Sequence, residues 1–137
     1  MMAFERVPTL DEDDFYKSLI KAPQIVKIAK VGELYKSDDV EDGAYFYIDF
    51  VLCSNGQEQS VAFNVKMDHD KKMIVIPEGA KLYPLVSFVS GIENDDIKCY
   101  KQDIDSTLQG LTFKAKALKQ RGNRTWHKII PLERVGE

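Results

Sequence analysis

Two stretches of the chain, residues 44–53 and 57–66, alternate between apolar and polar side chains with the period of two that is typical of half-buried β-strands. Asn55 and Gly56 lie between them and favour a two-residue type I′ hairpin turn. That turn predicts the facing pairs Ser54–Gln57, Phe50–Val61, Ile48–Phe63 and Phe46–Val65. The predicted core face consists of Phe46, Ile48, Phe50, Leu52, Val61, Phe63 and Val65. The opposite face carries Tyr45, Tyr47, Asp49 and Val51 on one strand and Ser60, Ala62, Asn64 and Lys66 on the other.

Residues 24–35 predict another strand, which precedes this hairpin. Alternation places Lys30 beside Ile28 on one face and Val31 on the other. Gly32 marks a bulge or bend near the end of the strand.

The rest of the chain predicts helices and a second hairpin. A helix that starts with the capping box Thr9-Leu10-Asp11-Glu12 runs to residue 22, a second covers 81–90 and stops at Gly91, and a helical turn covers 103–109. A small strand is expected at 73–76. The second hairpin joins 111–119 to 124–132 around Gln120-Arg121-Gly122-Asn123, and residues 133–137 form a short tail.

Five strands with a helix between the third and fourth is the element order of the OB-fold, a small Greek-key barrel. We therefore predict an all-β domain with accessory helices that spans residues 1–137, with residues 1–22 as an N-terminal helical extension. A closed barrel would also remove the exposed edges of such hydrophobic strands. The competing fold is a split α+β sheet with the same element order.

The chain has 137 residues, of which 44% are hydrophobic and 30% charged, a composition that fits one folded domain. No apolar run approaches the roughly 18 residues of a membrane span, and the first residues lack the apolar core of a signal peptide. We therefore expect a cytoplasmic protein with no membrane contact.

The cysteines and histidines indicate neither a disulfide framework nor a metal site. Cys53 and Cys99 are too few and too widely spaced for a metal motif, and Asp68-His69-Asp70 is more typical of a polar turn. The sequence contains no GxSxG, P-loop or GxGxxG signature. We therefore expect neither an enzyme nor a bound cofactor.

Charge is distributed unevenly along the chain. The net charge is −3, but the segment 112–134 carries seven basic residues and one acidic residue, so it holds +6 and the remainder −9. Acidic residues cluster at 11–14, 38–42 and 93–96. A basic hairpin attached to an acidic body is compatible with an anionic ligand, and equally with a solvated hairpin that binds nothing.

Three segments resemble those of a known family. They are Gly79-Ala80-Lys81-Leu82-Tyr83-Pro84-Leu85, Leu108-Gln109-Gly110-Leu111-Thr112-Phe113-Lys114-Ala115, and the hairpin from Gly122-Asn123 to Lys128-Ile129. Over residues 79–132 the pattern resembles small phage and mobile-element OB-fold proteins of the single-stranded-DNA-binding type. The resemblance implies DNA binding in replication or recombination, with proteins of those processes as partners. The end, Leu132-Glu133-Arg134-Val135-Gly136-Glu137, lacks the acidic, Phe-terminated tip of bacterial single-stranded-DNA-binding proteins, so recruitment through such a tip is not implied.

Proteins bind single strands by stacking bases on aromatic rings and by contacting phosphates with Lys and Arg. The second and third strands of an OB-fold present such a face, and here they supply Tyr45, Tyr47, Asn64 and Lys66. The second hairpin supplies Lys114, Lys116, Lys119, Arg121, Arg124, Trp126 and Lys128.

Each of these candidates has a purely structural alternative. Tyr45 and Tyr47 could pack against the N-terminal helix, and Trp126 could be a core residue. Lys114 and Lys116 could protect an edge strand. Asp49 shares the tyrosine face and would oppose phosphates, which is the strongest objection to DNA binding at this face.

The leading hypothesis is therefore a domain that binds single-stranded nucleic acid, preferably DNA, with little sequence preference. The alternative is an interaction module of the same fold, whose acidic surfaces dock a basic partner. A third hypothesis is a small-molecule or oligosaccharide site at Tyr45 and Tyr47. The sequence leaves open whether the chain forms a homo-oligomer.

Overall fold

The computed structural model describes residues 12–68, 70, 72–120 and 126–136, and it is mostly β-structure. The helices are α1 (Glu12–Lys21), α2 (Tyr83–Ser90) and α3 (Lys101–Leu108). The strands are β1 (Gln24–Val31), β2 (Tyr35–Lys36), β3 (Gly43–Leu52), β4 (Glu58–Met67), β5 (Ile74–Ile76), β6 (Ile97–Cys99), β7 (Thr112–Gln120) and β8 (Trp126–Arg134). They form one antiparallel sheet in the order β6-β5-β4-β3-β1-β7-β8, with β2 paired to β3. The capping box at Thr9 lies outside the described residues.

The sheet curls strongly into a half-barrel but does not close. Within the described part of the chain, β6 and β8 are the two ends of the sheet and do not pair with each other. Closure of the five long strands would require β4 to pair with β8, but β5 occupies the far edge of β4 at Lys66 and Met67. The predicted five-stranded barrel is thus found as an open, barrel-like sheet of eight strands, and the expected protection of its edges by closure is absent.

The helices cover the inner face of the open sheet. Phe15, Tyr16 and Leu19 of α1 are fully buried; the Phe15 ring lies 6.0 Å from the Phe50 ring of β3, and Tyr16 stacks on His127 of β8 at 4.3 Å. Helix α2 packs against both β6 and β8, the two ends of the sheet. Helix α1 therefore covers part of the inner face of the sheet. No helix in the described residues is long and apolar enough to cross a membrane.

The two faces of the β3–β4 hairpin are those predicted, but the register is wrong by two residues. All seven predicted core residues are at most 5% exposed. Phe46 lies opposite Phe63, and Phe50 opposite Gln59, because the amide of Leu52 donates to the carbonyl of Gln57 and encloses a longer loop. Asn55 does not adopt the positive φ that a type I′ turn needs. A shift of two residues preserves both faces, since side chains alternate with a period of two.

Strand β1 contains a β-bulge between Ile28 and Lys30, not at Gly32 as expected. The extra residue reverses the alternation, so Val31 is buried like Ile28 and Lys30 is exposed. The faces predicted for Lys30 and Val31 are therefore wrong.

The C-terminal end of the chain also differs from the prediction. Strand β8 continues to Arg134, and the amide of Val135 donates to the carbonyl of Thr112 at 3.0 Å. Residues 133–135 therefore belong to the sheet and are not a free tail. Pairing with β7 supplies the hydrogen bonds that this segment would otherwise make to water.

The Gly56→Val variant tests the hairpin loop. Gly56 has φ of +73°, a conformation that a β-branched residue adopts only under strain. We expect a loss of more than about 1 kcal/mol of unfolding free energy, measured by urea denaturation. Gly79→Val is the matched control, because Gly79 has no left-handed φ and an added Cβ meets nothing within 4 Å. Equal stability of the two variants would contradict the loop conformation.

The neighbouring variants Phe46→Ala and Tyr47→Ala test the assignment of the two faces of β3. Phe46 is fully buried and Tyr47 is 46% exposed. We expect Phe46→Ala to cost about 3–5 kcal/mol and Tyr47→Ala to cost about 1 kcal/mol or less, by thermal and urea unfolding. Comparable losses for both would show that Tyr47 is a core residue.

Candidate nucleic-acid interface

Three tyrosines form a row on the outer face of the sheet, the face away from the helices. Tyr35 of β2 pairs with Tyr45 of β3, and Tyr47 follows on the same face of β3. The ring centroids of Tyr35 and Tyr45 are 5.6 Å apart, and those of Tyr45 and Tyr47 are 6.1 Å apart. Tyr35 is 49% and Tyr47 46% exposed, and Tyr45 between them is half-buried.

The turn after β1 holds this tyrosine row in place. The amide of Gly32 donates to the carbonyl of Tyr47 at 2.7 Å, and Lys101 Nζ of α3 donates to the carbonyl of Gly32 at the same distance. These bonds attach the turn to the middle of β3 and bring β2 alongside it. Tyr35 therefore reaches Tyr45 although a loop separates their strands.

The described N-terminal helix does not cover the tyrosine row. Helix α1 packs on the inner face, where Phe15 contacts Phe50, whereas Tyr45 and Tyr47 point outward. The alternative in which these tyrosines pack against the N-terminal helix therefore fails for residues 12–21. Asn64 and Lys66 stand beside the row on β4 and are exposed, with Asn64 directly opposite Tyr45.

Asp49 lies on the outer face as predicted, but its carboxylate has partners. The Ser60 hydroxyl donates to Asp49 Oδ1 across the β3–β4 pair. On the other side, Lys30 of β1 is directly opposite Asp49 because of the bulge. A lysine at this position offsets the negative charge that would oppose phosphates.

Lysines of the second hairpin lie on the same outer face. Lys114 and Lys116 alternate with the buried Phe113 and Ala115, and Lys128 lies opposite the outward Leu118. Lys114 stands between β1 and β8 in the sheet, so it cannot be protecting an edge strand there. Lys116 lies one residue beyond the last β1–β7 pair.

The other hairpin candidates do not join this face or lie outside the described residues. Lys119 follows the buried Ala117 by two residues on β7 and lies opposite His127, so it is on the inner side of the sheet. It therefore lies on the opposite face of β7 from Lys114 and Lys116, because consecutive strand residues alternate faces. Arg121 and Arg124 are not described, and for Trp126 only the backbone is, paired with Gln120.

The tyrosine row and the hairpin lysines share a face but are not adjacent. Val51 of β3, Lys27 of β1 and Thr112 of β7 lie side by side across the sheet. Tyr45 is six residues from this line along β3, and Lys116 is four residues from it in the opposite direction. At about 3.3 Å per strand residue, Tyr45 and Lys116 are on the order of 30 Å apart. The two predicted sets are therefore two patches on one surface.

Lysines between the two patches make the outer face basic. Pairing places Lys27, Lys30, Lys66, Lys98, Lys114, Lys116 and Lys128 on this face, against Asp49, Glu58 and Glu133. Asp68, at the end of β4, contacts Lys98 and is a fourth carboxylate here. Seven lysines against four carboxylates still give a positive surface on a chain whose net charge is −3. The sheet thus gathers positive charge that is scattered in the sequence.

Lys98 is already engaged by a carboxylate. Burial raises the pKa of Asp68, but hydrogen bonds from the amides of Lys72 and Met73 lower it. The ammonium of Lys98, 3.4 Å from Asp68 Oδ2, lowers it further, so the pKa of Asp68 lies below its ordinary value. Lys98 is therefore less available to a phosphate than Lys30 or Lys66.

Sequence reasoning missed Tyr35, Lys27 and Lys30 as site residues. Tyr35 was expected at the end of the first strand, but it belongs to the separate two-residue strand β2. Gly32, followed by Glu33, was the available signal that β1 ends early. The bulge that turns Lys30 outward has no local signature in the sequence.

The described residues contain no group of three His, Cys, Asp or Glu side chains placed to hold a metal ion. Comparison with known proteins identifies no relative: no protein-family model, curated protein or solved structure matches the chain. A functional conclusion must therefore be drawn from the geometry and charge of the outer face.

Proposed function

We propose that the chain binds single-stranded nucleic acid, preferably DNA, across the outer face of its open sheet, in the manner of an OB-fold. The observation that carries this proposal is the row of Tyr35, Tyr45 and Tyr47 on a surface rich in lysine, in which Tyr35 and Tyr47 are exposed and Tyr45 is half-buried. Strands β3 and β4 are the second and third of the five long strands, the pair that OB-folds use for ligands. The proposal includes the role in replication or recombination that the resemblance of residues 79–132 to phage and mobile-element proteins implies.

The tyrosines would supply the sequence-independent part of binding. Every base has a π-face, so stacking on Tyr45 and Tyr47 requires no particular base. The phenol rings are fixed by the strand and by their contacts with each other, 6.1 Å apart, so little side-chain entropy is lost on binding.

The lysines would supply the electrostatic part. Lys27 and Lys30 connect the tyrosine row to Lys114 and Lys116, so a strand could follow a continuous positive path. The path of about 30 Å is compatible with a site of several nucleotides, within the range of about 4–16 for an OB-fold.

A protein-interaction module is the second candidate, and the acidic loop between β2 and β3 favours it. Asp38, Asp39, Glu41 and Asp42 are in this loop, next to the strands that carry Tyr35 and Tyr45. A basic partner would meet carboxylates here and tyrosines beside them. Its binding would depend on the loop and not on the lysines of the outer face.

The double variant Tyr45→Ala/Tyr47→Ala tests the stacking surface. We expect it to bind fluorescein-labelled dT oligonucleotides more weakly by about 1–3 kcal/mol for each lost base contact, measured by fluorescence anisotropy at low salt. Circular dichroism and the melting temperature check that the fold is retained. A folded double variant with the parent's affinity would show that the tyrosines do not bind the strand.

The double variant Lys114→Gln/Lys116→Gln tests the phosphate path. If both lysines contact phosphates, the slope of log K against log salt should fall by about 1.4, since each contact contributes about 0.7 for a single strand. Affinity should fall at low salt while thermal stability stays within about 0.5 kcal/mol.

The matched control is Lys17→Gln/Lys21→Gln on α1, which removes the same charge from exposed positions of the helix that covers the inner face. It should retain the parent's slope. Equal slopes for parent and both variants would place the phosphate path elsewhere, and an absence of binding by the parent at low salt would favour the interaction module.

A further inference from the structure

The tyrosine row ends at a glycine. The outward positions of β3 are Tyr47, Tyr45 and then Gly43, which pairs with Lys66 of β4. A Cβ on Gly43 would lie 2.9 Å from the Cβ of Val40, so only glycine allows the loop to pack this closely. Val40 therefore occupies the space in which a third side chain would continue the row, and a cleft lined by Gly43 and Val40 lies beside it.

This cleft has a volume of about 350 Å³, and the described residues of its lining are mostly apolar. The apolar side chains are those of Val40, Ala44, Val65, Pro77 and Ala80; Ala44 and Val65 are buried, whereas Val40 and Pro77 are exposed. The polar residues are Asn64, Ser37 and Lys66, and among the described lining residues only Lys66 is charged. A volume in this range is that of small-ligand sites.

We infer that the cleft binds one nucleobase of the strand, the base that follows those stacked on Tyr47 and Tyr45. This inference rests on the proposed function, because the strand reaches the cleft along the tyrosine row. The apolar lining residues contact the ring of the base, and the Lys66 ammonium contacts its phosphate.

The Asn64 side chain makes the cleft selective. An amide presents a donor and an acceptor together and can pair with the edge of a base, most favourably adenine. Asn64 lies opposite Tyr45, so it stands between the last stacked base and the cleft. The protein should therefore tolerate any base along the tyrosine row but prefer adenine at one position.

A basic peptide is a less suitable occupant of this cleft. The charge in the lining is positive, whereas Asp42 lines the adjoining recess with Lys36. A peptide cation would therefore meet Lys66 in the cleft, and it would have to bind at the acidic loop instead.

The experiment uses the full chain and a length series of labelled dT oligonucleotides, with affinity measured by fluorescence anisotropy. Ala80→Leu fills the cleft and leaves the tyrosines unchanged, and Ala22→Leu, at an exposed position after α1, is the matched control. We expect Ala80→Leu to bind roughly tenfold more weakly, within the contribution of one base. At each length in the series, the affinity of Ala80→Leu should equal the affinity of the parent for the oligonucleotide that is one nucleotide shorter. A general structural defect would not produce this relation.

A second variant, Asn64→Ala, keeps the inference testable if Ala80→Leu is unstable, because Asn64 is exposed. With dT oligonucleotides that carry a single dA at each position in turn, the parent should prefer dA at one position, and Asn64→Ala should lose that preference. If the parent and Tyr45→Ala/Tyr47→Ala differ in binding but both cleft variants behave like the parent, the cleft inference alone is overturned. If the parent binds no oligonucleotide at low salt, the proposed function fails as well.

Discussion

The inner face of the curled sheet must be covered, and the remaining features of the molecule depend on how this is done. Phe46, Phe50 and Phe63 would face water in an open sheet, because no strand pairing closes it within the described residues. Helix α1 contacts both β4 and β7, and α2 contacts both β6 and β8. The helices thus bury the surface that a closed barrel would enclose. Since they occupy the inner side, the outer face stays free to carry exposed side chains.

The outer face gains its character from positions where regular strand geometry is interrupted. The bulge after Ile28 turns Lys30 outward, opposite Asp49, and so provides the cation that offsets this carboxylate. Gly43 ends the tyrosine row and lets Val40 of the preceding loop pack against the strand beside the cleft. Bulges and close backbone approaches often mark functional positions, because regular strands alone place side chains only at fixed intervals.

The charge of the chain and the charge of its surface differ for a topological reason. Basic residues of β1, β4 and β7 are distant in sequence, yet pairing brings them to one face, while the acidic residues 38–42 and 93–96 lie in loops. A chain with a net charge of −3 can therefore present a positive sheet. For an anionic strand, this arrangement concentrates attraction on the lysines of the sheet, while the acidic loop 38–42 repels it at the end of the tyrosine row.

Much of the local structure followed from the sequence alone. Alternation separated Phe46 and Phe63 from Tyr47 and Asn64, since burial of one strand face is a local pattern. The loop that encloses Gly56, by contrast, changed the register by two residues, because its length depends on the hydrogen bond between Leu52 and Gln57. Long-range pairing decided the open strand order, the position of Tyr35 beside Tyr45, and the distance of the hairpin lysines from the tyrosines. These features depend on which distant segments compete for the same strand edge, and no local pattern records that competition.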